Sequence, residues 1–362
     1  MNRPARLLAL PLLAAAATAA HAENYVAQVY AVPEGNSTMY VYGAGDNGMM
    51  SGYIVTPDFH GLAAYVTANG YKIMHPTGWD NSQITDSWAA TYHCGYGNQV
   101  GQGSHALFWV GGGAAVDMHP PGAEYESSYA NGGNGQLQAG NVQGSIVCTD
   151  CVPTDFDGHY RHAAVWNRSA ASFRRLHSAT HYNTVANCTD GVRIAGYGIH
   201  RGDQSHNALL WNSVTSMSIN LRPSQSTFSD IYSMDSTQQG GVFIGPSTGG
   251  NDHACLWTGT AASAYDLHPP GGAFAYSYVE AVRNGLQVGR ANPTANTGRT
   301  QAVAWHGNAA TWINLHARLP LPYSTSAYSS SANGIDNLGN IIGHVFKTDG
   351  TTSMPVIWRR VP

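Results

Sequence analysis

HACLWTGTAASAYDLHPPGG runs from His253 to Gly272. Nearly the same phrase, SHALFWVGGGAAVDMHPPGA, runs from Ser104 to Ala123. In both, a short apolar run ends on tryptophan, and a Gly- or Ala-rich turn leads to an acidic–aliphatic–His-Pro phrase. The tryptophan phrase recurs along the chain as LAAYV (Tyr65 in the aromatic place), ALFWV (Trp109), AAVWN (Trp166), ALLWN (Trp211), ACLWT (Trp257), AVAWH (Trp305) and PVIWR (Trp358). KIMHP, VDMHP, RRLHS, INLRP, YDLHP and INLHA follow the first six in turn. A Ser- or Tyr-rich run, a turn and a Gly-ended strand complete each unit, as in SYVEAVRNGLQVG (Ser277–Gly289). There Asn284-Gly285 favours a two-residue hairpin, because both residues tolerate positive φ.

Copies 44–57 residues apart, each with four short strands, describe the blade of a β-propeller. The chain is therefore expected to be all-β: a seven-bladed β-propeller of four-stranded blades. We label the strands A (Ser/Tyr-rich, innermost), B (Gly-ended), C (the tryptophan strand) and D (the His-Pro strand, outermost). The last unit stops at Trp358–Pro362 without a full D strand, while YVAQVYAVP (Tyr25–Pro33) stands alone before the first A strand. Three C-terminal strands plus this N-terminal one would make the seventh blade, leaving no exposed edge between blades.

MNRPARLLALPLLAAAATAAHA carries Arg3 and Arg6, an apolar run from Leu7 and a small-residue end at Ala20-His21-Ala22. It reads as a secretory signal peptide over 1–22, leaving one propeller domain over 23–362 and a secreted destination, extracellular or periplasmic. No later run is long and apolar enough to span a membrane. The chain holds 17 Lys+Arg against 21 Asp+Glu, with two lysines in all, and loss of the leader would make it more acidic. That balance argues against nucleic acid as a partner.

A residue repeated in every unit serves something every unit needs, which is structural. Chemistry needs an asymmetric group, so functional residues are sought where the repeat breaks. Histidine sorts this way. His60, His105, His162, His206 and His253 open C strands; His75, His119, His177, His268 and His316 close D strands. The two series should meet, either as metal sites or as a polar clasp on loop carbonyls; two imidazoles per blade do not fill a tetrahedral site, so the clasp is expected. No metal or other cofactor is assigned; Ca2+ at Asp155-Phe156-Asp157-Gly158 and Zn2+ at the histidine pairs are the ions considered.

The irregular residues concentrate in the third and fourth units. The third is lengthened between B and C by a segment including CTDCVPTDFDGHYRH (Cys148–His162), and seven of the chain's arginines, at 161, 168, 174, 175, 193, 201 and 222, fall in this region. They are expected to form a local positive sector. His159, Tyr160, Arg161, His181, Tyr182, His200 and Arg201 belong to B–C and D–A loops or their margins, on one end of the ring, and are the catalytic candidates. Trp88, Tyr129, Tyr278 and Tyr328, on A strands, are the candidate ligand-binding aromatics at the channel mouth, suited to stacking on sugar rings. Cys148 and Cys151 read as a local disulfide in an exported loop, Cys255 as a buried free thiol, and Arg201-Gly202-Asp203 as a chance tripeptide.

The phrases HA-x-L-W, D-L and S-x-A, with NLGNIIG (Asn337–Gly343), resemble the HAF family of extracellular bacterial repeats over essentially the whole chain after the leader. This chain departs from that pattern in carrying His-Pro where Gly-Thr usually follows Asp-Leu. The resemblance implies an exported repeat fold and names no substrate, and a fold alone does not specify function. Three functions remain: a propeller binding a carbohydrate, with an anionic or uronic-acid glycan as partner; a polysaccharide lyase with a Tyr or His base and Arg or His neutralising the carboxylate; and a structural or cell-surface interaction protein. A monomer is expected.

Overall fold

The computed structural model describes residues 24–36, 38–144, 160–176, 178 and 180–361. Among them the sheets resolve into seven four-stranded antiparallel units: five separate sheets, and one eight-stranded sheet made of the fourth and fifth units joined by a single parallel pair, His206 with Phe228. In each of the first six units the chain runs A, B, C, D, and each unit packs on the next. The seventh takes A, B and C from Tyr328–Ile335, Ile341–Lys347 and Ser353–Val361, and its outer strand is Asn24–Val29, paired antiparallel so that Ala27 faces Trp358. The two ends of the chain therefore close the ring as the sequence implied. No helix among the described residues is long and apolar enough to cross a membrane.

The repeated tryptophans lie between units. Trp109, Trp166, Trp211, Trp257, Trp305 and Trp358 are fully buried. Each packs on the preceding unit's aliphatic residue before the His-Pro position: Trp109 on Met74, Trp211 on Leu176, Trp305 on Leu267, Trp358 on Leu315. Trp109 and Trp358 also donate their indole N–H to the carbonyls of Met74 and Leu315, at 3.0 and 2.9 Å. A buried indole removes roughly 150–250 Å2 from water, an upper value of about 4–6 kcal/mol for each interface.

The inner strands share a second device. The A strands are Thr38–Ala44, Asn81–Trp88, Ser127–Gly133, His181–Thr189, Phe228–Met234, Phe274–Arg283 and Tyr328–Ile335. Each slips register by one residue against its B strand, which leaves Tyr42, Thr85, Asn131, Asn187, Tyr232, Glu280 and Asn333 as the extra, bulged residues. A bulge bends the strand and re-aims a side chain, and these seven line the central channel. The bulge pushes an A-strand carbonyl against the B strand. At Gly52, Gly95, Gly140, Gly196, Gly241, Gly289 and Gly343 an added Cβ would lie 1.8–2.1 Å from that oxygen. Only glycine fits.

A third device links C, D and the next A strand. Ala63, Ala106, Ala163, Ala208, Ala254 and Ala302 donate their N–H to Ser82, Ser128, Thr184, Ser229, Ser277 and Ser330 of the following unit, at 2.9–3.0 Å. The same alanines' carbonyls accept the N–H of the D-strand aliphatic residue at 2.7–2.9 Å. The D-strand histidine then reaches the hydroxyl: His75, His119, His268 and His316 place Nδ1 2.8–2.9 Å from Ser82, Ser128, Ser277 and Ser330. His75 and His268 also place Nε2 3.1 Å from the loop carbonyls of Trp79 and Phe274. A carbonyl can only accept, so Nε2 carries the proton, and the serine hydroxyl donates to Nδ1. The histidines form the clasp.

The two histidine series meet where expected. His105 stacks on His119, and His253 on His268, each pair with ring centroids 4.0 Å apart. Asp117 and Asp266 join each pair, accepting from Nδ1 of the first histidine and from the backbone N–H of the second, all at 2.8 Å. His177 lies outside the described residues.

Gly140→Ala is expected to cost about 3 kcal/mol or more, because its Cβ meets backbone rather than a mobile side chain. Gly298→Ala, whose nearest neighbour is a side-chain oxygen at 3.4 Å, should stay within about 0.5 kcal/mol. Denaturant midpoints of the two variants measure the difference.

Candidate functional site

Strand direction places A-strand starts, B-strand ends and C-strand starts on one end of the ring, here the proximal end. The opposite, distal end carries the A–B turns. Tyr160 and Arg161 open the third C strand (Tyr160–Trp166), and His181 and Tyr182 open the fourth A strand. His200 closes the fourth B strand (Arg193–His200), directly opposite His181, and Arg201 starts the turn that follows. The third and fourth units are tied here, since the Arg161 N–H donates to Asn183 Oδ1 at 3.1 Å. Six of the seven catalytic candidates thus share one end of one sector. His159 lies outside the described residues, as do Cys148 and Cys151.

The two central histidines differ in kind. His181 is 5% exposed. Its Nδ1 faces the hydroxyls of Ser178 and Thr180 at 3.0 and 2.9 Å, and its Nε2 accepts from Asn207 Nδ2 at 3.0 Å. Burial, reinforced by His200, lowers its pKa to about 4. It is a neutral, fully bonded ring.

His200 is partly open to solvent and sits edge-on to His181, with centroids 5.3 Å apart. Its Nδ1 donates to Asp203 Oδ1 at 2.9 Å, which leaves Nε2 as the acceptor nitrogen. Asp203 is held in turn by the Ser205 hydroxyl and N–H and by Arg222 Nη1 at 3.3 Å, and these bonds, the serine's first, hold its carboxyl well below the usual range. A tight turn builds this group: the His200 N–H donates to the Ser205 carbonyl, and Gln204 takes positive φ. Tyr182 donates its hydroxyl to Gln204 Oε1, and the Arg201 guanidinium lies 6.0 Å from the Tyr182 ring centre. An imidazole oriented by a carboxylate, beside a phenol and arginines, can bind an acidic sugar and can take up a proton.

Asp203 and Arg222 were missed as site residues. Arg222 did break the pattern, standing where five other units have histidine. Asp203 sat inside the tripeptide set aside as chance, and only the turn joins it to His200. The arginine-rich region does not form one positive sector. Arg161, Arg201 and Arg222 are proximal. Arg168 lies at the end of the third C strand, its Nε on Gly135 O at 2.6 Å, and Arg193 is bound to Asp190 at the distal A–B turn. Arg174 and Arg175 are exposed on an outer strand. Antiparallel strands carry neighbours in sequence to opposite ends.

The four candidate aromatics do not converge either. Trp88 ends its A strand, so it is distal, 46% exposed, with the Arg283 guanidinium 5.4 Å from its ring. Tyr328 begins its A strand, so it is proximal, packed edge-on against Tyr323. Tyr129 meets Tyr96, and Tyr278 bonds Asp252 beneath Arg290. Cys255, like Cys94 and Cys188, is a buried free thiol. Among the described residues, no group of three or more His, Cys, Asp or Glu is placed to hold a metal ion.

No family model matches the chain, and no curated protein matches it by sequence. Solved structures do match by shape. The chain is similar to the β-propeller domain of the Trilobed protease from Pyrococcus furiosus (11% identity, 77% of this chain, 81% of that one, TM-score 0.54). It is equally similar to an oligogalacturonate lyase in complex with manganese (11% identity, 93% and 96%, TM-score 0.54). A puromycin hydrolase matches at 10% identity and TM-score 0.53 over 88% of this chain, which spans about half of that protein (53%). At such identities the likeness is one of fold: the protein is a β-propeller.

Burial lowers the pKa values of His93, His181, His206, His316 and His344 to about 4, and pulls down those of His75, His119 and His268. An unfolded imidazole takes up its proton first as pH falls, so the stability from these rings is complete above about pH 6.5 and is lost between about 6.5 and 4. Asp86, raised to about 6 by burial, and Asp230, raised likewise, oppose this trend with two groups against eight. The melting temperature should therefore be flat above about pH 7 and fall steadily toward pH 4.5. A melting temperature that rises over that acid range would contradict it.

Proposed function

We propose that this protein is exported and binds an anionic, uronic-acid-containing glycan on the proximal end of the ring, between the third and fourth units. The observation that carries this reading is the assembly of non-repeated residues there: His200 held by Asp203, with Arg201, Arg161 and Arg222 on the same end. Arginine offers a carboxylate charge-assisted bonds, and Tyr182 supplies an aromatic neighbour. A single asymmetric group also fits one site better than a lectin-like site in every unit. The resemblance to HAF-type repeats and the leader-like first 22 residues support export.

One observation favours a second reading, a polysaccharide lyase acting by β-elimination. Asp203 fixes His200 with Nε2 available, the arrangement that a base needs to remove the proton α to a uronate carboxylate while arginine neutralises that carboxylate. His181, bonded at both ring nitrogens, serves to position His200 and is not the base.

Retention in gels containing polygalacturonate, alginate, ulvan or glucuronan tests the binding reading; absorbance of the unsaturated product tests the lyase. At least one polymer should retard the protein, and Arg201→Ala should weaken retention about tenfold or more. His200→Ala should remove any absorbance rise while leaving some retention. His268→Ala, which breaks the clasp, should lower stability by about 1–3 kcal/mol and leave retention unchanged. Absence of retention on all four polymers would sink the glycan reading.

A further inference from the structure

We propose that the central channel is a second binding site, open at the distal end, for a neutral hydroxyl-rich ligand of monosaccharide size. It does not rest on the proximal-end reading. The channel holds a cavity of about 370 Å3, inside the range of small-molecule sites, about 300–1,000 Å3. Its waist is the ring of bulged residues, one from each unit. Scaffold positions carry the same residue type around the ring: glycine opposite each bulge, serine or threonine at the clasp, aromatic residues between units. The bulged positions instead mix four residue types, three Asn, two Tyr, one Thr and one Glu, all polar, without one aliphatic side chain, lysine or arginine.

The ring is also unequal in its bonding. On one side it is sewn to itself: Thr85 donates to Ala130 O at 2.6 Å, Asn131 to Ala186 O at 3.0 Å, and Asn187 to Ile231 O at 2.8 Å. Each bond crosses to the next unit. The sewing then stops. Tyr232 lines the cavity here, and Asn333 keeps a buried Oδ1 with no partner. Glu280 lies between these two in chain order. A polar side chain buried without a partner is costly to leave so, and a ligand hydroxyl would satisfy it.

The charge at this wall selects the class of ligand. Its arginines are committed: Arg290 to Glu280 at 2.5 Å, and Arg283 to Asp46 at 3.6 Å and to the Ile335 carbonyl at 3.2 Å. An entering carboxylate would meet Glu280, whose partner Arg290 is already engaged, with no spare cation, whereas a neutral sugar brings hydroxyl donors to an acceptor-rich wall. The channel and the proximal end therefore differ in specificity.

Calorimetric titration of the full protein with galactose, glucose, mannose and N-acetylglucosamine, and with galacturonate for contrast, tests this. At least one neutral sugar should bind saturably with Kd of about 1 mM or tighter, and galacturonate should bind in the channel at least tenfold more weakly. Asn333→Leu and Tyr232→Phe should each weaken the neutral sugar fivefold or more. Glu280→Gln, which releases Arg290, should narrow the gap to galacturonate. Arg201→Ala should leave neutral-sugar binding unchanged, which separates this site from the proximal one. Tyr232→Phe removes one oxygen and carries the test if Asn333→Leu fails to fold. No saturable binding of any neutral sugar up to about 50 mM would overturn the proposal. So would affinity indifferent to Tyr232→Phe in folded protein, or affinity lost with Arg201→Ala.

Discussion

The contact between an inner-strand carbonyl and the glycine opposite it sets the geometry of the whole ring. The bulge in each A strand drives that oxygen to within about 2 Å of where a B-strand Cβ would stand, so the neighbour must have none. Given the glycine, the bulge is allowed, and one side chain per unit turns into the channel. Repeated around the ring, this converts seven ordinary sheets into a lumen with a polar waist. A bulge in a single sheet would re-aim one side chain. Seven at the same height make a surface.

Outside the lumen, the units are joined by two layers of different character. The buried tryptophans supply area and tolerate small shifts, because dispersion and the hydrophobic effect have little direction. The alanine–serine–histidine clasp supplies direction: donors and acceptors match one for one only when three strands from two units are in register. That matching requires neutral imidazole, so acid loosens the joints between units before it reaches the apolar core. The stacked histidine pairs with Asp117 and Asp266 belong to the same framework.

The proximal group over the fourth unit follows a different rule. Its residues are not copied, and they are collected by a hairpin turn at positions 200–205 and by the start of a neighbouring strand. His181 and His200 were legible as breaks in the repeat. Their division of labour was not, since it depends on Asn207 and Ser178 closing around one ring while Asp203 holds the other. The same holds for the arginines: of seven close in sequence only three share the proximal end, because each antiparallel strand exports its far end to the opposite face. The aromatic set failed for that reason too, with Trp88 and Tyr328 at the two ends of equivalent strands.

The architecture was legible in one dimension. Copies of the tryptophan and His-Pro phrases fix the number and order of strands, and the incomplete last unit with its orphan N-terminal strand fixes how the ring closes. These are properties of spacing and type, and spacing survives in one dimension. Which side chains meet was decided only in three dimensions. The identity of the channel residues depends on a one-residue slip of register that no local pattern announces, and the bonding of each histidine depends on a hydroxyl or carboxylate contributed by another strand. Periodicity records what every unit shares; contact between non-equivalent residues exists only once the ring is closed.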